Sequence, residues 1–464
     1  ARYNQPLYVA VKTRQQVAAA GGKVTVDFYL INEKNVRGNH QLKISVTDSQ
    51  GKVMEVGTYE TEAAGGEVYG QLLVKDVKIP VPTAGGLCRI EAKLCKENSV
   101  VTTGYDDILS VNLASNMLDG KGAVWEDGSA LQNFLKGKTK EAVAAYEDNL
   151  GKLDWIMVAR PPRKDQLTMV PMEALRSADG KPGLDVVYYE DMEFQKEVYH
   201  EVAKVVNLSA IEGATPSPFV YMLDGYGIKW SGKVLPSVSG EYTIIPQSND
   251  RSMIEVFVNG KKIYEITRKK EHLGDGKVYL EGGKSADIEI RFRHPRSNAR
   301  CRLDWAVPND KMPDAQRLME RAVNDGTKIF IIQSADEWSE FIAANSKAVF
   351  KDKFFVGTNW LGGVMFNKPH DIFKELPVGN ALNWPYQALI HTGVERMGLV
   401  MEGEELLVGA YHTYPMAIGT AMGIVPMGKG SVLFSTLDIY GNIINDSAAG
   451  LVAKKLIFNM IDFK

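Results

Sequence analysis

YGIKWSGKVLPSVSGEYTIIPQSNDRSMIEVFVNGKKI, residues Tyr226 to Ile263, is the stretch whose reading decides the architecture. It reads as consecutive short β-strands: Ile228 to Val234, Gly240 to Ser248 after a Pro-Ser turn, then Met253 to Val258. Asn259 and Gly260 close a hairpin into Lys262 to Ile266. Asn-Gly between two alternating apolar runs is a strong hairpin signal, because both turn residues must take positive φ.

The order W-x-G, P-x-x-x-G-E-Y, S-N-D, V-F-V-N-G-K resembles the PA14 domain, a β-sandwich module inserted in many bacterial glycoside hydrolases and present in adhesins. Upstream, GLDVVYYEDMEF from Gly183 to Phe194 looks like the start of that module. Downstream, Ser285 to Trp305 (SADIEIRFRHPRSNARCRLDW) looks like its closing strands. These bounds predict an insert over 183–306 whose flanks are two halves of another domain.

At 464 residues with 45% hydrophobic content, the chain is long enough for about three domains with ordinary cores. A formal net charge of −3 gives no electrostatic case for nucleic acid or an anionic membrane as a partner. No apolar run approaches the ~18 residues of a membrane span, so a soluble chain is expected. The chain opens at Ala1 and enters a strand-like run by Leu7, which reads as a processed or cut-out piece. Three cysteines, Cys88, Cys95 and Cys301, are too few and scattered for a disulfide framework or zinc site, and they leave the compartment undecided. By strand parity Cys88 shares a face with Ile90, Ala92 and Leu94, and Cys95 faces the other way.

Residues 1–113 alternate with period two, as in Val24, Val26, Phe28 and Leu30, then Leu42, Ile44 and Val46, which predicts an immunoglobulin-like β-sandwich. KVTVDFYLINEKNVRGNHQLKISVTDSQGK, with GGEVYGQLLVKDVKIP after it, resembles the sandwich that follows the barrel in β-galactosidase-like members of glycoside hydrolase family 2. Asn32 and Glu33 match the Asn-Glu pair that carries the general acid in such barrels. Here the pair ends a sandwich strand and opens a loop, so it reads as a solvated turn.

From Gly122 strand and helix alternate. Ala123 to Trp125 is a short strand, Ser129 is expected to cap a helix through Leu135, and LDWIMVA from Leu153 to Ala159 reads as a doubly covered parallel strand. After the insert, Asp314 opens a helix that Gly326 ends, and Ser334 to Glu337 reads as a capping box. A final amphipathic helix carries Ala449, Val452, Ala453, Leu456 and Met460. The reading is an open α/β domain of flavodoxin or glutamine-amidotransferase type, halves 114–182 and 307–464, split by the PA14-like sandwich. FVGTNWLGG at Phe355, NALNWPYQALI at Asn380, YHTYPMAIG at Tyr411 and MGKGSVLFSTLDI at Met427 resemble the C-terminal α/β domain of the same enzymes.

Catalytic machinery is not legible. Neither G-x-C-x-G nor G-x-S-x-G occurs, and none of the cysteines lies in the α/β halves, so His391, His412 and Glu395 have no nucleophile to activate. The run from Gly282 to Ser285 mimics the end of a phosphate loop, but Val278 stands where its first glycine should be, which leaves a hairpin turn.

The candidate site residues are for carbohydrate. In lectin-like PA14 modules two adjacent loop aspartates hold calcium, which in turn holds sugar hydroxyls, so the resemblance makes Asn249 and Asp250 candidate sugar and calcium ligands. The alternative is an Asx-type turn. Trp360 and Trp384, in loop-like stretches, are candidate sugar-stacking platforms, whereas Trp155, Trp230 and Trp305 read as core. By resemblance, the chain is the non-catalytic C-terminal region of a retaining family 2 β-glycosidase. Its N-terminal catalytic barrel would lie elsewhere in the polypeptide, and a periplasmic or secreted parent is favoured. The alternative is a stand-alone carbohydrate-binding protein acting through the PA14-like domain. Oligomeric state stays open.

Overall fold

The computed structural model describes residues 5–463 apart from 67, 98, 114–116, 163–166, 211–214, 218, 221, 249–251, 297–298, 309–312, 357–362, 392–396, 414–415 and 444–447. The chain is mostly β and divides into two compact units: Ala1–Asn116 with Lys368–Gln387 and Asn445–Lys464, and Met117–Asn367 with Ala388–Ile444.

In the first unit, strands Leu7–Thr13, Lys23–Asn32 and Gly70–Pro80 form one antiparallel sheet. A second runs in the order Val17–Ala19, Ser99–Val111, Gly86–Lys96, Gly38–Thr47, Val53–Ala63. Alternate residues from both, among them Val24, Val26, Phe28 and Leu30 from one and Leu42, Ile44, Val46 and Ile90 from the other, share one core. The alternation breaks at Asp27, where the pairing with Gly70–Pro80 shifts register. Its buried carboxylate accepts the Asp76 N–H at 2.9 Å and pairs with Arg14 at 2.9 Å.

Cys88 lies in that core. Cys95, of opposite parity, is buried as well, beside a register shift between Leu94 and Cys95. All three cysteines are free. The Asn32 side chain both donates to and accepts from Val36 at 2.9 Å, closing a loop that leaves Glu33 exposed.

The C-terminal amphipathic helix is present as Ala448–Asp462. It packs within this unit, against Val17–Ala19, Ser99–Val111 and the 3₁₀ turn Asp371–Phe373. Two buried polar side chains dock it. Lys455 Nζ pairs with Glu375 Oε2 at 2.6 Å, and Asn459 Nδ2 donates to the carbonyls of Ile372 and Lys374 at 2.9 Å.

In the second unit a mixed sheet runs Ala144–Ala145, Gly122–Glu126, Trp155–Ala159, Lys328–Ile331, Gly430–Ser435, Ala417–Met427, Met397–Glu402, Val349–Phe355. The first five are parallel and the rest antiparallel, with Glu405–His412 and Val364–Asn367 extending the antiparallel part. Every residue of Trp155–Ala159 is buried, as expected for a doubly covered strand.

Helix Ala315–Asp325 is capped as its sequence suggests. Asp314 accepts the N–H groups of Gln316 and Arg317, and Gly326 closes it in the left-handed conformation. The other two cap expectations need correction. Ser129 makes no side-chain cap on Ala130–Leu135; the Glu126 carboxylate accepts the N–H of Leu131 at 3.0 Å and of Gln132 at 2.9 Å instead. Ser334 is itself left-handed (φ 53°), so its hydroxyl does not cap Ala335–Ala344.

Two antiparallel sheets lie between Ala159 and Lys328, which are ends of adjacent parallel strands. The larger runs Glu197–Ala203, Leu184–Tyr189, Tyr226–Val234, Ala286–His294, Met253–Val258, Lys261–Ile266, His272–Leu273, with Leu175–Arg176 beside Tyr226–Val234. The smaller runs Thr168–Met169, Ala299–Ala306, Gly240–Ser248, Lys277–Leu280, with Asn207–Ala210 beside Ala299–Ala306. Trp230 and Trp305 are buried in their shared core. Asn259 (φ 49°) and Gly260 (φ 74°) make the expected hairpin turn. The glycine run at 282–283 differs from expectation. It joins Lys277–Leu280 to Ala286–His294, strands of opposite sheets, so it is a crossover turn and not a hairpin.

Candidate functional site: a cleft at one end of the inserted sandwich

Strand order in the larger sheet gathers several connections at one end. Tyr189 pairs with Gly227, Tyr226 with His294, Met253 with Arg293 and Ile254 with Ile266. The turn after Tyr189, the segment before Met253, the turn after Ile266 and the segment after His294 therefore all emerge together. Between them lies a cleft of about 870 Å³. Met192 and Glu193 line it from the first turn, Arg268 and Lys270 from the third, Pro295 and Arg296 from the last, and Met253 and Arg293 from strand ends.

Each turn is fixed locally. Asp191 accepts the N–H of Glu193 at 2.8 Å, Gln195 at 3.1 Å and Lys196 at 2.7 Å. Desolvation works to raise its carboxyl, but these donors hold it below the ordinary carboxylate value. Phe194 lies over Gly227, where an added Cβ would come 2.7 Å from the ring. In the third turn Thr267 N–H donates to Glu271 O, Lys270 N–H to Thr267 O and Glu271 N–H to the Thr267 hydroxyl, and Lys270 takes φ 66°.

Arg293 ties the first turn to the sheet. Its Nε donates to Met192 O at 3.2 Å, its Nη1 to Glu255 Oε2 at 2.8 Å, and its guanidinium lies 4.7 Å from the centre of the Phe194 ring. Beneath the cleft, fully buried His294 stacks on Phe292, and its Nδ1 lies 3.1 Å from the Ser252 hydroxyl.

Asn249, Asp250 and Trp360 fall outside the described residues, as does Glu395. The segment 249–251 joins Ser248 to Ser252, so it adjoins the cleft residue Met253 in sequence. Among the described residues no group of three or more His, Cys, Asp or Glu is placed to hold a metal. Trp384 is half-buried in the first unit, two residues before Tyr386, whose hydroxyl donates to Pro377 O at 2.6 Å; it is not a residue of this cleft. His412 ends strand Glu405–His412 and His391 ends helix Gln387–His391.

A second polar cluster went unread in the sequence, at the carboxyl ends of the parallel strands. Glu126 caps the short helix and accepts from the Tyr440 hydroxyl at 2.8 Å, while Asp127 pairs with Arg160 and accepts from Thr168 at 2.7 Å. Burial raises the Glu126 carboxyl despite these donors and lowers the Arg160 guanidinium. Ligands of open α/β sheets bind at this edge. Here the carboxylates are engaged by neighbours within the fold, so the cluster acts as a staple.

The cleft belongs to a recognisable module: the PA14 domain family matches residues 180–317, which hold every described lining residue of the cleft and contain the expected 183–306, while Thr168–Met169 and Leu175–Arg176 lie ahead of the match. The chain is 28% identical over 127 residues to the anti-sigma-I factor RsgI3 of Acetivibrio thermocellus, a match covering 27% of this chain and 19% of that relative's length. Among solved structures, β-glucosidase from Kluyveromyces marxianus in complex with glucose aligns over 47% of this chain and 28% of its own (13% identity, TM-score 0.30). The epithelial adhesin 9 A domain of Candida glabrata, in complex with Galb1-4GlcNAc, aligns over 32% and 90% (12% identity, TM-score 0.23). Among the described residues no helix is long and apolar enough to cross a membrane.

Proposed function

We propose that this chain is a non-catalytic, carbohydrate-recognising assembly in which the PA14 domain contacts glycan at the cleft. The observation that carries this reading is the convergence of three connections and two strand ends of that domain, among the described residues, on one concave, partly apolar, partly charged site. The flanking domains, an immunoglobulin-like sandwich over 1–113 and a split glutamine-amidotransferase-like domain over 114–182 and 307–464, of which Lys368–Gln387 and Asn445–Lys464 belong to the sandwich's compact unit, are accessory domains of a family 2 glycoside hydrolase. They brace or extend a catalytic barrel carried elsewhere in the polypeptide. Their support is the sequence resemblance and the missing nucleophile elbow.

Calorimetric titration with neutral galactosides and plant glycans, with and without calcium, tests recognition: heat of binding supports it, and silence across the panel removes it. An antibody against this chain tests the accessory role. A native band heavier than 51.3 kDa by several hundred residues supports it, and a band at 51.3 kDa removes it while leaving recognition intact. Hydrolysis of aryl β-galactosides by this chain alone, persisting in Glu33→Gln, would overturn the non-catalytic reading.

A further inference from the structure

Cationic side chains concentrate in the cleft of a chain whose formal net charge is −3. Among the described lining residues four are cationic, Arg268, Lys270, Arg293 and Arg296, against one carboxylate, Glu193. They come from two separate turns and a strand end, so strand order, and not a run of basic sequence, brings them together.

Their roles differ physically. Arg293 is half-buried and fixed by Glu255, Met192 and Phe194, so little side-chain freedom remains for it to lose on meeting a ligand. Arg268 and Arg296 are exposed and make no ion pair among the described residues. Lys270 is presented by a turn that Thr267 locks.

The remaining lining is Met192, Met253 and Pro295, without an aromatic ring among the described lining residues. Stacking on a flat apolar face, the usual grip on a neutral sugar, is not offered by these residues; charge-assisted hydrogen bonds are. Three of the four cations are arginines, whose planar forks match carboxylate and sulfate oxygens. The same absence of rings disfavours single-stranded nucleic acid, whose bases need aromatic platforms.

We infer that the cleft selects acidic glycans, oligosaccharides bearing carboxylate or sulfate groups, with Arg293 as the fixed fork, Lys270 held on its locked turn, and Arg268 and Arg296 as the adaptable rim. This rests on the reading of the PA14 domain as glycan-recognising. The volume lies within the ~300–1,000 Å³ range of small-molecule sites and suits a short oligomer.

The test is calorimetry on the full chain with four probes: de-esterified oligogalacturonate, the same oligomer methyl-esterified, a chondroitin sulfate oligosaccharide and a neutral galacto-oligosaccharide. Single-stranded DNA serves as the polyanion control, and each titration is run with and without EDTA and at two salt concentrations. The expected result is binding of the oligogalacturonate or the sulfated oligomer, whichever source the cleft prefers. For oligogalacturonate, methyl esterification should weaken binding tenfold or more, and high salt should weaken either acidic ligand. The exposed pair Arg268→Gln with Arg296→Gln should lose tenfold or more in affinity with an unchanged melting temperature. Equal binding of the neutral oligomer would overturn the acidic preference while leaving glycan recognition standing. Silence with all four glycans would remove both. DNA binding as tight as the best glycan, or an unaffected double variant, would also overturn the inference.

Discussion

Arg293 and Glu255 pair diagonally across two neighbouring strands of the inserted sandwich, Nη1 to Oε2 at 2.8 Å. Both side chains are mostly shielded, 26% and 16% exposed, so the pair is less screened than a surface bridge. Burial works to raise the Glu255 carboxyl, but Arg293 and then Lys262 outweigh it and hold it below its ordinary value.

Arg293→Ala should therefore destabilise the chain by about 1–3 kcal/mol at neutral pH, measured by urea unfolding. A carboxyl lowered in the folded state contributes stability above its unfolded pKa, and that contribution disappears as pH falls through the folded value. The gap between parent and variant should close as the buffer is taken below that value. A gap that is flat with pH would mean that the charge pair is not its source.

Gly227→Ala should displace Phe194, because the new methyl would sit 2.7 Å from one ring carbon and 2.9 Å from Asp191 O. Overpacking of this kind costs about 1–3 kcal/mol. The displaced ring also frees the Arg293 guanidinium, so glycan affinity should fall in the same variant, read by calorimetry on folded protein. Unchanged stability and affinity together would show that the turn relaxes without consequence.

Asp27→Asn should lower the denaturation midpoint of the first unit at neutral pH, since the Asp76 N–H and Arg14 lose a charged acceptor. Asp27 is held below the ordinary carboxylate value, first by the Asp76 N–H and then by Arg14 against desolvation. The parent's advantage should thus be full above the unfolded pKa and vanish on acidification through the folded one. Urea midpoints at several pH values decide it.

Lys455→Met should loosen the C-terminal helix, leaving Glu375 and the Asn112 carbonyl without their ammonium donor. Removing one member of a shielded pair can cost about 3–5 kcal/mol, whereas replacing both can be near neutral. The double variant with Glu375→Leu should recover part of the loss. Hydrogen exchange across Ala448–Asp462 would report the loosening directly.

Several elements could be read from spacing alone. The strands Gly240–Ser248 and Met253–Val258 follow from period-two alternation, and the turn between Val258 and Lys261 follows from Asn-Gly. The helix from Asp314 to Gly326 carried both of its caps in sequence. Other features depended on competition that spacing does not display. Glu126, at a strand end, reaches two helix N–H groups and displaces Ser129 from the role. Cys95 is buried without joining the core that holds Cys88, beside a bulge that only pairing reveals. The C-terminal helix showed its apolar face, but not which strands that face would cover. The cleft was the hardest to foresee, because Met192, Arg268 and Arg296 meet only through strand order. The one local signal was basic residues in turns, Arg268 to Lys270 and Arg293 to Arg296.

The two ends of the inserted sandwich are stitched to each other, Thr168 to Trp305 and Met169 to Asp304, while the strands it separates, Trp155–Ala159 and Lys328–Ile331, lie side by side. This sets a timetable for a chain emerging from the ribosome. Trp155–Ala159 is made long before its neighbour and must wait with one edge uncovered until Lys328 arrives. If the insert folds during that wait, the tether between the two strands shortens from all the residues between Ala159 and Lys328 to a few dozen. Because loop closure scales with the logarithm of length, that shortening lowers its entropic cost by about 1.5 kcal/mol. The module that reads as a passenger thus brings the two halves of its host within reach, and a lesion that slows its folding should be felt first as aggregation through the waiting strand.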